Sequence, residues 1–200
     1  MSTIVLIRHA ETDLSGKFCG HSDPALNASG ERQLDSLLAE VAPLGISRIY
    51  SSDLQRTSQT AAAIGRHIGV NVEFRHGLRE IHFGLWEGLS WEEIDHRYPQ
   101  DSRLWLREFP RLSPPGGEPY AHFVARVEAE FHLLLGEASG ITQAVVTHRG
   151  VMQHALTRFF GFSDADAWEK TGRYGVAIVA TRVENSRDRS GDGKPAHAIR

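Results

Sequence analysis

The chain has 200 residues, room for one domain with a full core, and its 22 Lys plus Arg against 25 Asp plus Glu leave a formal net charge of −3. That balance excludes the basic footprint of a nucleic-acid binder and points to small polar ligands. A single cysteine, Cys19, excludes an internal disulfide framework and any CxxC motif. The apolar runs are short, so no membrane span or export signal is expected, and a cytoplasmic monomer or homodimer is. Residues 3–7, branched, apolar and bounded by charge, read as a strand buried on both faces. Leu34, Leu37, Leu38 and Val41 at helical spacing make 27–43 an amphipathic helix, with Asn27 or Ser29 as its cap. A short strand at 46–50 follows, then a helical stripe of Leu54, Ala61, Ile64 and Ile68 that stops at Gly69, then a third strand at 71–74. Ser90 and Glu93 form a capping-box signature, and Pro110, Pro114 and Pro115 mark a loop. Phe123, Val127, Phe131 and Leu134 outline a long helix over 118–138. A buried strand at 142–147, a helix at 150–160 and a last strand at 174–183 complete a single domain, 1–183, with 184–200 as a loose polar tail. The alternation predicts an α/β fold with a mainly parallel sheet and helices on both faces, whose ligands bind beyond the carboxyl ends of the strands.

Three of those strand ends carry cationic or titratable residues. Arg8 and His9 leave the first strand, Arg56 opens the helix after the second, and His148 with Arg149 follow the fourth. Such a cluster is a pocket for an anion, and arginines supply the forked geometry that phosphate oxygens match. The dipeptide Arg-His also occurs at Arg66-His67 and Arg75-His76. The first of these falls late in a helix and reads as a solvated face, and His76 falls in a connection, so position singles out Arg8-His9.

LIRHAET at 6–12 resembles the Arg-His-Gly motif of the histidine phosphatase superfamily, which includes the cofactor-dependent phosphoglycerate mutases. SSDLQRTSQTA at 51–61 is similar to its second arginine motif, LREIHFGLWEG at 78–88 to its acid motif and VVTHRG at 145–150 to its second-histidine motif. The resemblance implies a three-layer α/β/α sandwich of the phosphoglycerate mutase type. It implies His9 as a nucleophile that becomes phosphohistidine, Arg8, Arg56 and His148 as ligands of the phosphoryl oxygens, and Glu80 as proton donor to the leaving oxygen. Gly20 and His21 resemble the family's loop around the phosphate, and Thr12 would add a hydroxyl contact. No cofactor or metal is implied, and His82, His122 and His154 lack metal-site spacing such as HExxH. The expected partner is a small-molecule phosphate monoester, with neither nucleic acid nor membrane.

The motifs FGLWEGLSW and SPPGGEPY resemble the branch that contains α-ribazole 5′-phosphate phosphatases, which makes that ester, or a broad range of small phosphates, the expected substrate. Glu118 in the second motif would contact substrate or cap the following helix. A phosphoglycerate mutase is the alternative, though the insertion usual there is missing, and a non-catalytic phosphate-binding module is the alternative from another class. Ala10 and Arg149 stand where the family has glycine, and Ser15 where many members place asparagine. Arg149 would add a cation toward an acidic substrate group or point to solvent. Glu11 is expected to orient a site arginine or close the strand's exit. Of Trp86, Trp91 and Trp105, two are expected in the core and one on a substrate wall.

Overall fold

The computed structural model describes residues 2–138 and 140–182. Twelve regular elements are described. They run β1 (Ser2–Arg8), α1 (Ala28–Val41), β2 (Ile46–Ser51), α2 (Gln55–Ile68), β3 (Val72–Phe74), α3 (Trp91–Arg97), α4 (Pro99–Glu108), α5 (Tyr120–Glu137), β4 (Thr142–Thr147), α6 (Arg149–Phe160), α7 (Asp164–Lys170) and β5 (Ala177–Arg182). The strands form one sheet in the order β3-β2-β4-β1-β5, parallel except for β5, which runs antiparallel to β1.

The apolar run of β1 explains the three layers. Successive side chains of a strand point to opposite faces. Ile4 and Leu6 therefore join one core with Val145 of β4, Phe123, Val127 and Phe131 of α5, and Met152 and Leu156 of α6. Val5 and Ile7 join the other with Ala144 and Val146, Leu37 and Val41 of α1, and Ile64 of α2. All four β1 residues are fully buried, each contributing roughly 1.5–3 kcal/mol. The mainly parallel α/β/α architecture expected from the alternation is the one observed.

Local signals set most boundaries. Asn27, not Ser29, caps α1, its side-chain oxygen accepting from Gly30 N at 2.8 Å. Gly69 ends α2 in the left-handed conformation at φ 75°, and the Ser90–Glu93 capping box opens α3. Two helices escaped the reading. α4 starts on Pro99 and leaves Leu106 exposed, so its apolar stripe is broken, and α7 is only seven residues long. Ser163, which accepts from Asp166 N at 3.1 Å, was a usable cap signal for α7. The last strand starts at Ala177, not 174, because Gly175 turns there with φ 62° and its N–H donates to the His9 carbonyl. The expected tail at 184–200 lies outside the described residues.

Candidate active site

His9 follows the last residue of β1, and its N–H donates to Thr147 O of β4 at 3.1 Å. Parallel pairing of Arg8 with Thr147 puts the next residues of both strands, His9 and His148, side by side with ring centroids 5.3 Å apart. His9 Nδ1 lies 2.7 Å from the Ala10 carbonyl. A carbonyl only accepts, so Nδ1 carries the proton and Nε2 keeps its lone pair. Burial, reinforced by the cations of Arg56 and Arg8, holds the ring's pKa well below its ordinary value. Ala10, in place of glycine, is fully buried, with its N–H donating to Thr60 Oγ1.

The arginines are immobilised before any ligand arrives. Arg8 Nη1 donates to the carbonyls of Thr171 (3.0 Å) and Gly172 (2.7 Å), and its guanidinium lies 3.8 Å from the centroid of the Tyr174 ring. Arg56 has no solvent exposure and donates to the carbonyls of Ser22, Gly20 and Cys19. His148 Nε2 meets Ser52 Oγ at 3.0 Å, and the same hydroxyl oxygen accepts from Leu54 N. Ser52 thus holds the ring through Nε2 and leaves Nδ1 as the nitrogen open to a ligand. The Nε atoms of Arg8 and Arg56 and Nδ1 of His148 are all buried without a hydrogen-bond partner among the described residues. These buried donors are of the type that the oxygens of an anion satisfy.

Glu80 sits opposite on the loop before α3. Its Oε1 accepts from Ile81 N at 3.0 Å and its Oε2 from Gly150 N at 2.9 Å. Burial raises the carboxyl above its ordinary value, against those two N–H donors and the nearby arginines. Arg79, the neighbour that could have neutralised it, is paired bidentately with Asp53 at 2.7 and 2.6 Å. A desolvated carboxyl whose pKa is raised is suited to proton donation.

Several expected residues take other places. The Glu118 carboxylate is held by Arg126 at 2.7 and 2.8 Å, and Arg126 also donates to the carbonyls of Gly77, Arg79 and Glu80. Glu118 borders the cavity, yet its charge supports the acid loop, and α5 has no side-chain cap. Gly20 and His21 stand behind the cavity wall, His21 Nε2 donating to the Glu80 carbonyl at 3.1 Å. Among the described residues Glu11 meets no arginine: it accepts from Asn27 and Gln33 and ties the end of β1 to α1. Ser15 is exposed and off the wall. Thr12, by contrast, is on it.

The cavity has a volume of about 780 Å³. Phe18, Phe83, Trp91, Trp105, Phe109 and Leu112 make an aromatic wall, so two of the three tryptophans face the cavity and only Trp86 is core. Arg149, Gln153, His154 and Thr157, from one face of α6, add polar groups to the lining. Arg149 does not point into solvent: its guanidinium stacks 3.8 Å from the Trp168 ring centroid and Nη2 donates to the Trp168 carbonyl. Ser52, Tyr174, Arg126 and Glu87 were not singled out in the sequence, since each acts through a contact that only folding creates. Among the described residues no group of three or more His, Cys, Asp or Glu is placed to hold a metal ion.

The profile of the histidine phosphatase superfamily (branch 1) matches residues 4–187. A bifunctional protein of Mycobacterium tuberculosis is 34% identical over 148 residues, 72% of this chain, which spans only 40% of that protein's length. Phosphoserine phosphatase 1 of Hydrogenobacter thermophilus is 31% identical over 170 residues, 84% of this chain and 81% of the relative. The crystal structure of an α-ribazole phosphatase from Shigella flexneri superposes with a TM-score of 0.79 at 25% identity, covering 92% of this chain and 96% of the other. With four ordered motifs, this fold and these matches, the chain belongs to the histidine phosphatase superfamily, branch 1.

Proposed function

We propose that this chain is a phosphatase that hydrolyses small phosphate monoesters through a phosphohistidine on His9. The observation that carries the reading is the set of unpartnered buried atoms, Arg8 Nε, Arg56 Nε and His148 Nδ1, around an imidazole whose tautomer leaves Nε2 free. His9 Nε2 attacks phosphorus, the P–O ester bond breaks, and Glu80 gives its proton to the departing alkoxide. Arg8, Arg56 and His148 take up the charge on the equatorial oxygens. Water then attacks phosphohistidine, Glu80 accepts its proton, and the P–N bond breaks to release phosphate. Rapid quench of the enzyme with ³²P-labelled substrate tests this. Label that survives base, is lost in acid and maps to His9 is expected, and its absence rules out the covalent route.

For the leaving group we propose an alcohol that carries an aromatic or heterocyclic ring, with α-ribazole 5′-phosphate the first ester to try. The aromatic wall supports this, as does the likeness to the Shigella α-ribazole phosphatase. Comparing kcat/KM for α-ribazole phosphate, phosphoserine, 3-phosphoglycerate and sugar phosphates decides it. A preference for phosphoserine or an open-chain ester overturns the aromatic reading and leaves the phosphatase reading standing.

A further inference from the structure

Arg56 presents an electrostatic puzzle. Its guanidinium is fully buried and makes no ion pair with a carboxylate among the described residues. A buried charge without compensation is costly. One peptide layer away lies the carboxylate of Glu87. The four backbone N–H groups of Gly20, His21, Ser22 and Phe83 all donate to its carboxylate, at 3.0, 2.8, 3.1 and 2.9 Å.

The two sets of contacts share peptide groups. In the Cys19–Gly20 peptide the N–H donates to Glu87 Oε2 and the C=O accepts from Arg56 Nη2 at 3.2 Å. In the Gly20–His21 peptide the N–H donates to Glu87 Oε1 and the C=O accepts from Arg56 Nη2 at 2.7 Å. Both peptide dipoles point the same way, from carboxylate to guanidinium, so each polarises the next bond. Only glycine allows this layer at position 20, because a Cβ there would strike the Ile81 carbonyl and Glu87 itself. Burial works to raise the Glu87 carboxyl, but the N–H donors outweigh it and hold the group below the usual carboxylate range.

We propose that Glu87 is the counter-ion of Arg56, acting through the two peptides of the 19–21 turn, and so is a positioning residue for phosphoryl transfer. A carboxylate in direct contact would occupy the guanidinium edge that the phosphoryl group needs. Set behind a peptide layer, Glu87 orients and compensates the cation while Nε stays open. The same carboxylate sets the His21 backbone, and through His21 Nε2 the Glu80 carbonyl. Phosphoryl ligand and proton donor thus share one anchor.

The proposal rests on Arg56 binding the transferred group, and the test separates the two claims. Glu87→Gln keeps the size but loses the charge, and one of its two oxygens becomes an amide NH₂ facing N–H donors. Its kcat with p-nitrophenyl phosphate is expected to fall about 100-fold and its orthovanadate affinity about 10-fold, measured well below its Tm. In Arg56→Ala the further change Glu87→Gln should cost less than twofold, since groups that act as a unit are not additive. Losses that multiply overturn the coupling, as does vanadate that binds more tightly, the result expected if Glu87 were only a repelling charge near the anion. A wild-type rate for Arg56→Ala would sink the phosphoryl-binding reading instead. If Glu87→Gln does not fold, ¹³C titration of the Glu87 carboxyl in Arg56→Met decides: an upward shift of about one unit supports the pairing, and none overturns it.

Discussion

The Gly150 N–H donates to Glu80 Oε2 at 2.9 Å, so the first turn of the helix that follows His148 also holds the Glu80 carboxyl. A helix N-terminus favours the carboxylate form, whereas burial favours the acid, and the net shift is upward. The proton donor is therefore balanced between two opposed effects, and each can be removed separately.

In Gly150→Ala the added Cβ would run into the Glu80 carboxylate, so Glu80 must move. The variant is expected to fold, since alanine suits a helix, and to lose about 10- to 100-fold in kcat toward alkyl phosphates. Steady-state kinetics beside a melting curve checks it; an undiminished kcat means that the carboxyl position is not critical.

Glu80→Gln keeps shape and one acceptor but has no proton to give. Alkyl monoesters should lose about 10² to 10⁴ in kcat, while p-nitrophenyl phosphate, whose leaving group needs little protonation, should lose far less. Equal losses with both substrates would count against an acid role.

His9 and His148 both have pKa values held well below the ordinary histidine value, first by burial and then by Arg56. The folded state keeps them neutral where the unfolded chain takes up protons. Stability from this pair is complete above about pH 6.5 and is lost as pH falls below it, by up to about 1.4 kcal/mol per pH unit for each ring. Melting temperatures from pH 7.5 to 5 should fall, and less steeply in His148→Asn. An unchanged slope would mean that His148 titrates normally.

Trp105 faces the cavity and packs on Phe109 with ring centroids 4.8 Å apart. Trp105→Ala is expected to raise KM for aryl phosphates about 3- to 10-fold and to leave that for small alkyl phosphates nearly unchanged, with kcat little altered in both. A uniform rise would remove the aromatic wall from substrate selection.

What could be read along the chain was whatever neighbours in sequence decide. The apolar run of β1 announced a strand buried on both faces, Gly69 stopped a helix, and the position of Arg8-His9 after such a strand separated that pair from Arg66-His67, which is indeed exposed. Four ordered motifs announced the family. Short or broken elements escaped, as α4 and α7 did, because their stability comes from packing and not from a local stripe. Tertiary structure decided the partnerships. It put Arg126 on Glu118, so that a carboxylate on the cavity border also braces the acid loop. It turned Trp91 and Trp105 toward the cavity and Trp86 into the core, which three similar aromatic residues in one stretch could not reveal. It placed Glu87, 31 residues beyond Arg56, behind the turn that Arg56 grips. Sequence determines which charges and apolar faces exist; only the folded chain determines which of them share a low-dielectric space, where pairing and its absence have energetic consequences.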